Sequence, residues 1–136
     1  MDLKDRINTI EESYEFMLAY AAQGLEGDGG SRSGGQLRDF LRRTEAALSG
    51  LANVVTTLVS QENLEPAEPY RSFIQVLERD ARSTQAAIQL VLAQPSISSQ
   101  LIDNLNASIH LRALLTDLFL IDEILKGAGQ RPTATK

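Results

Sequence analysis

The sequence predicts an all-α fold: a single four-helix bundle, antiparallel and up-down-up-down, with a flexible glycine-rich loop between its first two helices. Three observations carry this. Apolar or small residues recur in alternating steps of four and three over three segments: Leu3, Ile7, Ile10, Tyr14, Met17, Ala21; then Leu37, Leu41, Thr44, Leu48, Leu51, Val55, Leu58; then Tyr70, Ile74, Leu77, Ala81, Thr84, Ile88, Val91. Steps that average about 3.5 residues draw one stripe along a helix. A fourth segment, residues 97–125, keeps helical spacing but is far more apolar, and glycine or proline separates all four.

The first helix is expected over residues 2–23, with Gly24 at its C-terminal stop, where a left-handed backbone costs glycine little. Residues 24–35 hold six of the nine glycines and little that can be buried, which predicts a poorly ordered loop. The second helix is expected over residues 36–61. Phe40, Ala47 and Val54 widen its buried face, and Gly50 sits in its middle as a place for close helix approach. Pro66 and Pro69 break the next connection, Pro69 suiting a first helical turn. The third helix follows over residues 68–93. Pro95 stops it, Ser96 offers an N-cap, and the fourth helix runs over residues 97–126. The bundle is thus expected to span residues 1–127, with residues 128–136 as a frayed tail.

Composition narrows the function classes. At 136 residues with 43% hydrophobic and 23% charged residues, the chain matches an ordinary globular domain large enough to need no staple. The absence of cysteine excludes disulfides, zinc ribbons and thiol catalysis, and is compatible with the cytoplasmic location we expect. The charged start, Met1 to Arg6, lacks the pattern of a signal peptide, and no apolar run is long enough to span a membrane. The net charge of −5 disfavours nucleic acid and anionic lipid as partners. Its excess lies early: residues 1–25 carry a balance of −3, giving the first helix an acidic outer face.

The fourth helix points to function. A bundle helix needs one buried stripe, and Ala107, Leu111, Leu114, Leu118, Ile121 and Leu125 supply it. Leu115, Phe119, Leu120 and Ile124 add further apolar faces, more than a single seam requires. We therefore expect Leu111, Leu114, Leu115, Leu118, Phe119, Ile121 and Leu125 to form an interface with a protein partner or a second copy, a homodimer being the default. The alternative is a helix sunk deeper into the core.

Catalytic and metal chemistry finds little support. Glu11, Glu12 and Glu15 fall between core positions and should be solvated. The glycine-rich loop lacks the Gly-Lys-Ser/Thr ending of a phosphate loop, and no strand precedes it. Arg38, Arg42 and Arg43 form a basic cluster that could meet an anion or an acidic partner. With one histidine, the chain cannot supply the two Glu-x-x-His pairs of a di-iron bundle, so neither metal nor cofactor is expected. Tyr14, Tyr20, Phe16 and Phe40 read as core packing rather than a cofactor pocket.

His110 is placed on the same predicted face as Asp103, Asn106 and Asp117. The run Ile109 to Leu114 resembles bundles that carry a phosphorylatable histidine, though no acidic residue follows His110 and the lysine–glycine pair of phosphotransfer modules is missing. The expected function is a non-enzymatic interaction protein: an adaptor, assembly factor or chaperone-like accessory. The alternatives are phosphotransfer through His110 and a metal- or cofactor-binding bundle.

Overall fold

The computed structural model describes residues 1–129, and every regular element among them is a helix. The order is α1 (Leu3–Ala22), α2 (Arg32–Leu48), α3 (Leu51–Gln61), α4 (Ala67–Leu92), α5 (Ser99–Ala107) and α6 (Ile109–Gly129). The all-α expectation holds, and the count of four is corrected to six. The second and fourth expected helices each break once. Most of the proposed tail, residues 130–136, lies outside the described residues. Among the described residues, no helix is long and apolar enough to cross a membrane.

The first break falls at Ser49 and Gly50. Gly50 takes φ +73°, a left-handed conformation that ends one helix and redirects the chain into the next. A Cβ at Gly50 would meet nothing within 4 Å, so this glycine serves the backbone and not close helix approach. The second break is at Ser108, whose extended ψ of 146° interrupts the hydrogen-bond ladder. Its hydroxyl then caps the next helix by accepting from the Leu111 N–H at 3.3 Å. The expected Ser96 cap is also corrected: Ser98 caps α5, accepting from the Leu101 N–H at 3.0 Å.

The three stripes form the core much as their spacing predicts. Leu3, Ile7, Ile10 and Met17 of α1 meet Leu37, Leu41 and Leu48 of α2, Leu51 and Val55 of α3, and Leu77, Ala81 and Ile88 of α4. Helix α1 packs on α2 and α5, while α4 packs on α2, α3 and α6. Tyr20 is fully buried, and its hydroxyl donates to the Ile97 carbonyl at 2.7 Å. Ser99 ties the same junction from α5, donating to the Tyr20 carbonyl at 2.6 Å and accepting from the Leu25 N–H at 2.8 Å. Phe16 and Phe40 stack with ring centroids 4.5 Å apart, at the edge of the α1–α2 contact.

The glycine-rich segment departs from the expectation of a poorly ordered loop. Asp28 within it accepts from Arg38 Nε at 2.6 Å and from the Ile97 N–H at 2.7 Å. Helix α2 begins at Arg32, earlier than predicted, with Ser31 as its N-cap. Gly34 packs so closely on the Asp28 backbone that a Cβ there would overlap the carbonyl.

Candidate functional site: the outer face of α4 and α6

The direction each side chain takes on α6 decides what can serve as a contact surface. Leu111, Leu114, Leu115, Leu118 and Ile121 are buried in the core of the single chain, and Leu125 packs half-buried against it. These members of the expected interface are corrected to core positions; Phe119, 56% exposed, is the one that faces solvent. The physical reason is the helical period. One stripe of α6 is spent on α4 and α5, and the residues about 100° further round remain outside.

Those outside residues form a second stripe, none of which belongs to the expected interface. Ile109, Ala113, Thr116, Leu120 and Ile124 follow steps of four, three, four and four along one side of α6. Ile109 is 76% exposed, Leu120 50% and Ile124 46%. The sequence held this signal, because Leu120 and Ile124 cannot share the seam of Leu114, Leu118, Ile121 and Leu125. It could not show which of the two stripes α4 would cover.

The C-terminal half of this stripe borders a groove of about 390 Å³, whose opposite wall is Pro66, Pro69, Tyr70 and Phe73 at the start of α4. Two prolines belong there for local reasons: Pro66 is the extended N-cap of α4 and Pro69 stands within its first turn, where N–H groups have no intrahelical acceptor. Glu65 also lines the groove. The groove is therefore an apolar trough with one carboxylate beside it, suited to an apolar side chain and without an evident set of reacting groups.

Behind the groove runs the seam between α4 and α6. At one end Thr84 Oγ1 donates to the His110 carbonyl at 3.0 Å and to the Asp80 carbonyl of its own helix at 2.8 Å. At its middle Asp117 is buried, 6% exposed, opposite Asp80. Burial first and the neighbouring Asp80 second push the Asp117 carboxyl up to about 7, with Arg79 drawing partly against them.

The remaining sequence candidates do not converge on one site. Helix α5 ends before His110, so the predicted face of Asp103, Asn106, His110 and Asp117 is split between two helices. Asp103 and His110 are exposed, whereas Asn106 is buried and donates to the Met17 carbonyl at 3.2 Å. The arginine cluster also separates. Arg38 turns inward and donates to Asp28 and to the carbonyls of Leu92 and Gln94, so it is corrected from an anion contact to a structural clasp. Arg43 pairs with Asp39 at 2.7 Å and covers the Phe40 ring at 5.0 Å, leaving Arg42 exposed on the same helix. Glu11, Glu12 and Glu15 are exposed. Among the described residues, no three His, Asp or Glu side chains are grouped so as to hold a metal ion.

Comparisons with protein-family models, with curated proteins and with solved structures each find no match to this chain.

Proposed function

We propose that this chain is a non-enzymatic interaction protein that self-associates through the outer face of α4 and α6, acting as a cytoplasmic adaptor, assembly factor or chaperone-like accessory. The observation that carries this reading is the exposed pair Leu120 and Ile124 beside a groove walled by Tyr70 and Phe73, with Ile109 exposed further along the same stripe. Contiguous apolar surface of this kind marks contact sites on soluble domains. A second copy fits the face because ridge and groove lie side by side on one patch. A two-fold axis through such a patch sets the Leu120–Ile124 ridge of each copy against the groove of the other, as an isologous contact requires. Ala113 and Thr116, small residues in the middle of the stripe, leave room for close helix approach.

Sedimentation velocity at micromolar concentration tests the proposal with two variants. Leu120→Asp, at a half-exposed position, is expected to give a folded monomer from a dimeric parent. Leu118→Asp, in the core, is expected to lose helicity outright. A monomeric parent across the micromolar range would overturn self-association, and a dimer that survives Leu120→Asp would move the interface elsewhere.

A further inference from the structure

Asp117 poses a problem that the fold has to solve. Its side chain is 6% exposed, and Oδ2 receives no hydrogen from any described residue. The docking of α6 on α4, fixed nearby by Thr84 bonding to the carbonyls of both Asp80 and His110, sets the Asp80 side chain beside this carboxyl. Two ionised carboxylates are acceptors only and cannot bond to each other, whereas one proton between them makes an O–H···O hydrogen bond. Burial of an unpaired charge at a helix seam is costly, so the proton removes both the repulsion and the desolvation penalty.

The charged groups around the pair are few. Arg79 comes from α4 and is itself exposed, acting on Asp117 as a weak counter-charge. His110 lies on α6 about two turns before Asp117 and points to solvent. From α5, Asp103 is exposed and lines a separate cleft beside Gly24 and Ser98.

We propose that the docking of α6 on α4 is proton-gated, with a single proton shared between Asp117 and Asp80 holding the seam closed. Leu120 and Ile121 lie about one turn beyond Asp117 on the same helix, and Ile124 about two. The gate therefore sets the position of the apolar ridge against Tyr70 and Phe73. That consequence for association rests on the function proposed above; the gate itself does not.

The sign follows from linkage. In an undocked α6 the Asp117 carboxyl titrates near its ordinary value of 3.8, and when docked it is raised to about 7. The docked state binds more protons between these values, so docking is strongest in acid, weakens as pH rises through this window, and levels off above it. Linkage caps the weakening at about tenfold per pH unit inside the window, and partial solvation of Asp80 reduces it.

Hydrogen exchange of α6 amides, corrected for intrinsic rates and measured at a concentration where the chain is monomeric, tests the gate directly. Between pH 5.5 and pH 8.5 the wild-type protection of α6 should fall about tenfold, with α1 little changed. Asp117→Asn, whose amide can donate to Asp80 without ionising, should hold α6 protection level with pH. Equal wild-type protection at both pH values, or an Asn variant with wild-type pH dependence, would overturn the gate. So would a carbon-13 titration of wild-type Asp117 with its midpoint in the ordinary carboxylate range, a readout that needs no variant. Sedimentation at the same two pH values separates the two proposals: a monomer at both, with pH-dependent α6 exchange, removes self-association and leaves the gate.

Discussion

Arg38 on α2 and Asp28 in the glycine-rich segment form a clasp that joins three elements. Arg38 Nε donates to Asp28 Oδ2 at 2.6 Å, while its two terminal nitrogens reach the Leu92 carbonyl at 3.0 Å and the Gln94 carbonyl at 2.9 Å. The other carboxylate oxygen, Oδ1, accepts from the Ile97 N–H at 2.7 Å and, more distantly, from a terminal nitrogen of Arg38 at 3.5 Å. One guanidinium thus closes the C-terminal end of α4, where carbonyls lack intrahelical donors, and one carboxylate holds the approach to α5. Arg6 of α1 does the same for α2, donating to the carbonyls of Ala47 and Ser49.

The clasp makes a stability prediction. Arg38→Ala leaves Asp28 without its cation and two helix-end carbonyls without donors, at an expected cost of about 2–4 kcal/mol. Arg38→Lys keeps the charge but loses the planar fork, and should recover only part of this. Urea unfolding of the three proteins checks the order wild type, Lys, Ala. An Ala variant within about 0.5 kcal/mol of wild type would mean the clasp is decorative.

Acid should weaken the same clasp. Arg38 holds the Asp28 carboxyl below its ordinary value of 3.8, against the opposing effect of burial. The folded-state value is depressed, so the stabilisation is complete above the ordinary value and lost as pH falls through the folded one. Thermal melts below pH 4 should show Asp28→Asn losing less of its remaining stability than wild type does. The contrast with Asp117, whose contribution falls on the way up from acid, predicts a wild-type optimum on the mildly acidic side of neutrality.

Shortening the glycine-rich segment gives a test of its order. From length alone, removal of residues 27–34 should change little, since loop-closure entropy varies slowly with length. The structure reverses that expectation: the deletion removes Asp28, the Ser31 cap and the first turn of α2. A loss of several kcal/mol is expected in chemical denaturation, about the sum of a broken ion pair and a lost cap.

Two glycines should respond for different reasons. Gly34→Ala drives a methyl group into the Asp28 backbone, which can move only by opening the clasp, and should cost about 2 kcal/mol or more. Gly50→Ala meets open space but must hold φ +73°, costing about 1–2 kcal/mol. Gly50→Asn should be milder than Gly50→Ala, while Gly34→Asn should be worse than Gly34→Ala; calorimetry on the four variants checks this crossing.

His110 allows a test between classes of function. Its side chain is exposed and its carbonyl, not its ring, bonds to Thr84. His110→Ala should leave both stability and self-association within about 0.5 kcal/mol of wild type. Phosphate incorporation at His110 from a phosphodonor kinase, abolished by the variant, would instead establish the signalling alternative.

Much of the fold was legible in the chain because it rests on local rules. The four-three spacing of Leu3 to Met17 and of Leu77 to Val91 needs only the helical period to become a buried stripe. Pro66 and Pro69 mark the start of α4, and Gly24, at φ +67°, stands just beyond the end of α1, for equally local reasons. The breaks at Gly50 and Ser108 were harder to read, since a helix tolerates glycine or serine when its neighbours hold it straight, and only packing selects the bend.

What sequence alone determined, then, is an all-helical chain with too much apolar surface in its last helix. Tertiary structure decided where that surface goes. Leu118 and Leu120 differ by two positions and are chemically identical, yet one is core and the other half-exposed, because α4 covers a single side of α6. The same holds for charge. Arg38 and Arg42 are indistinguishable by spacing, but Arg38 lies beside the end of α4 and is consumed there, while Arg42 faces solvent. Asp80 and Asp117 are far apart in the chain, and only the antiparallel docking of their helices brings the two carboxyls together. Periodicity assigns residues to a face; long-range packing alone assigns that face to a neighbour or to solvent.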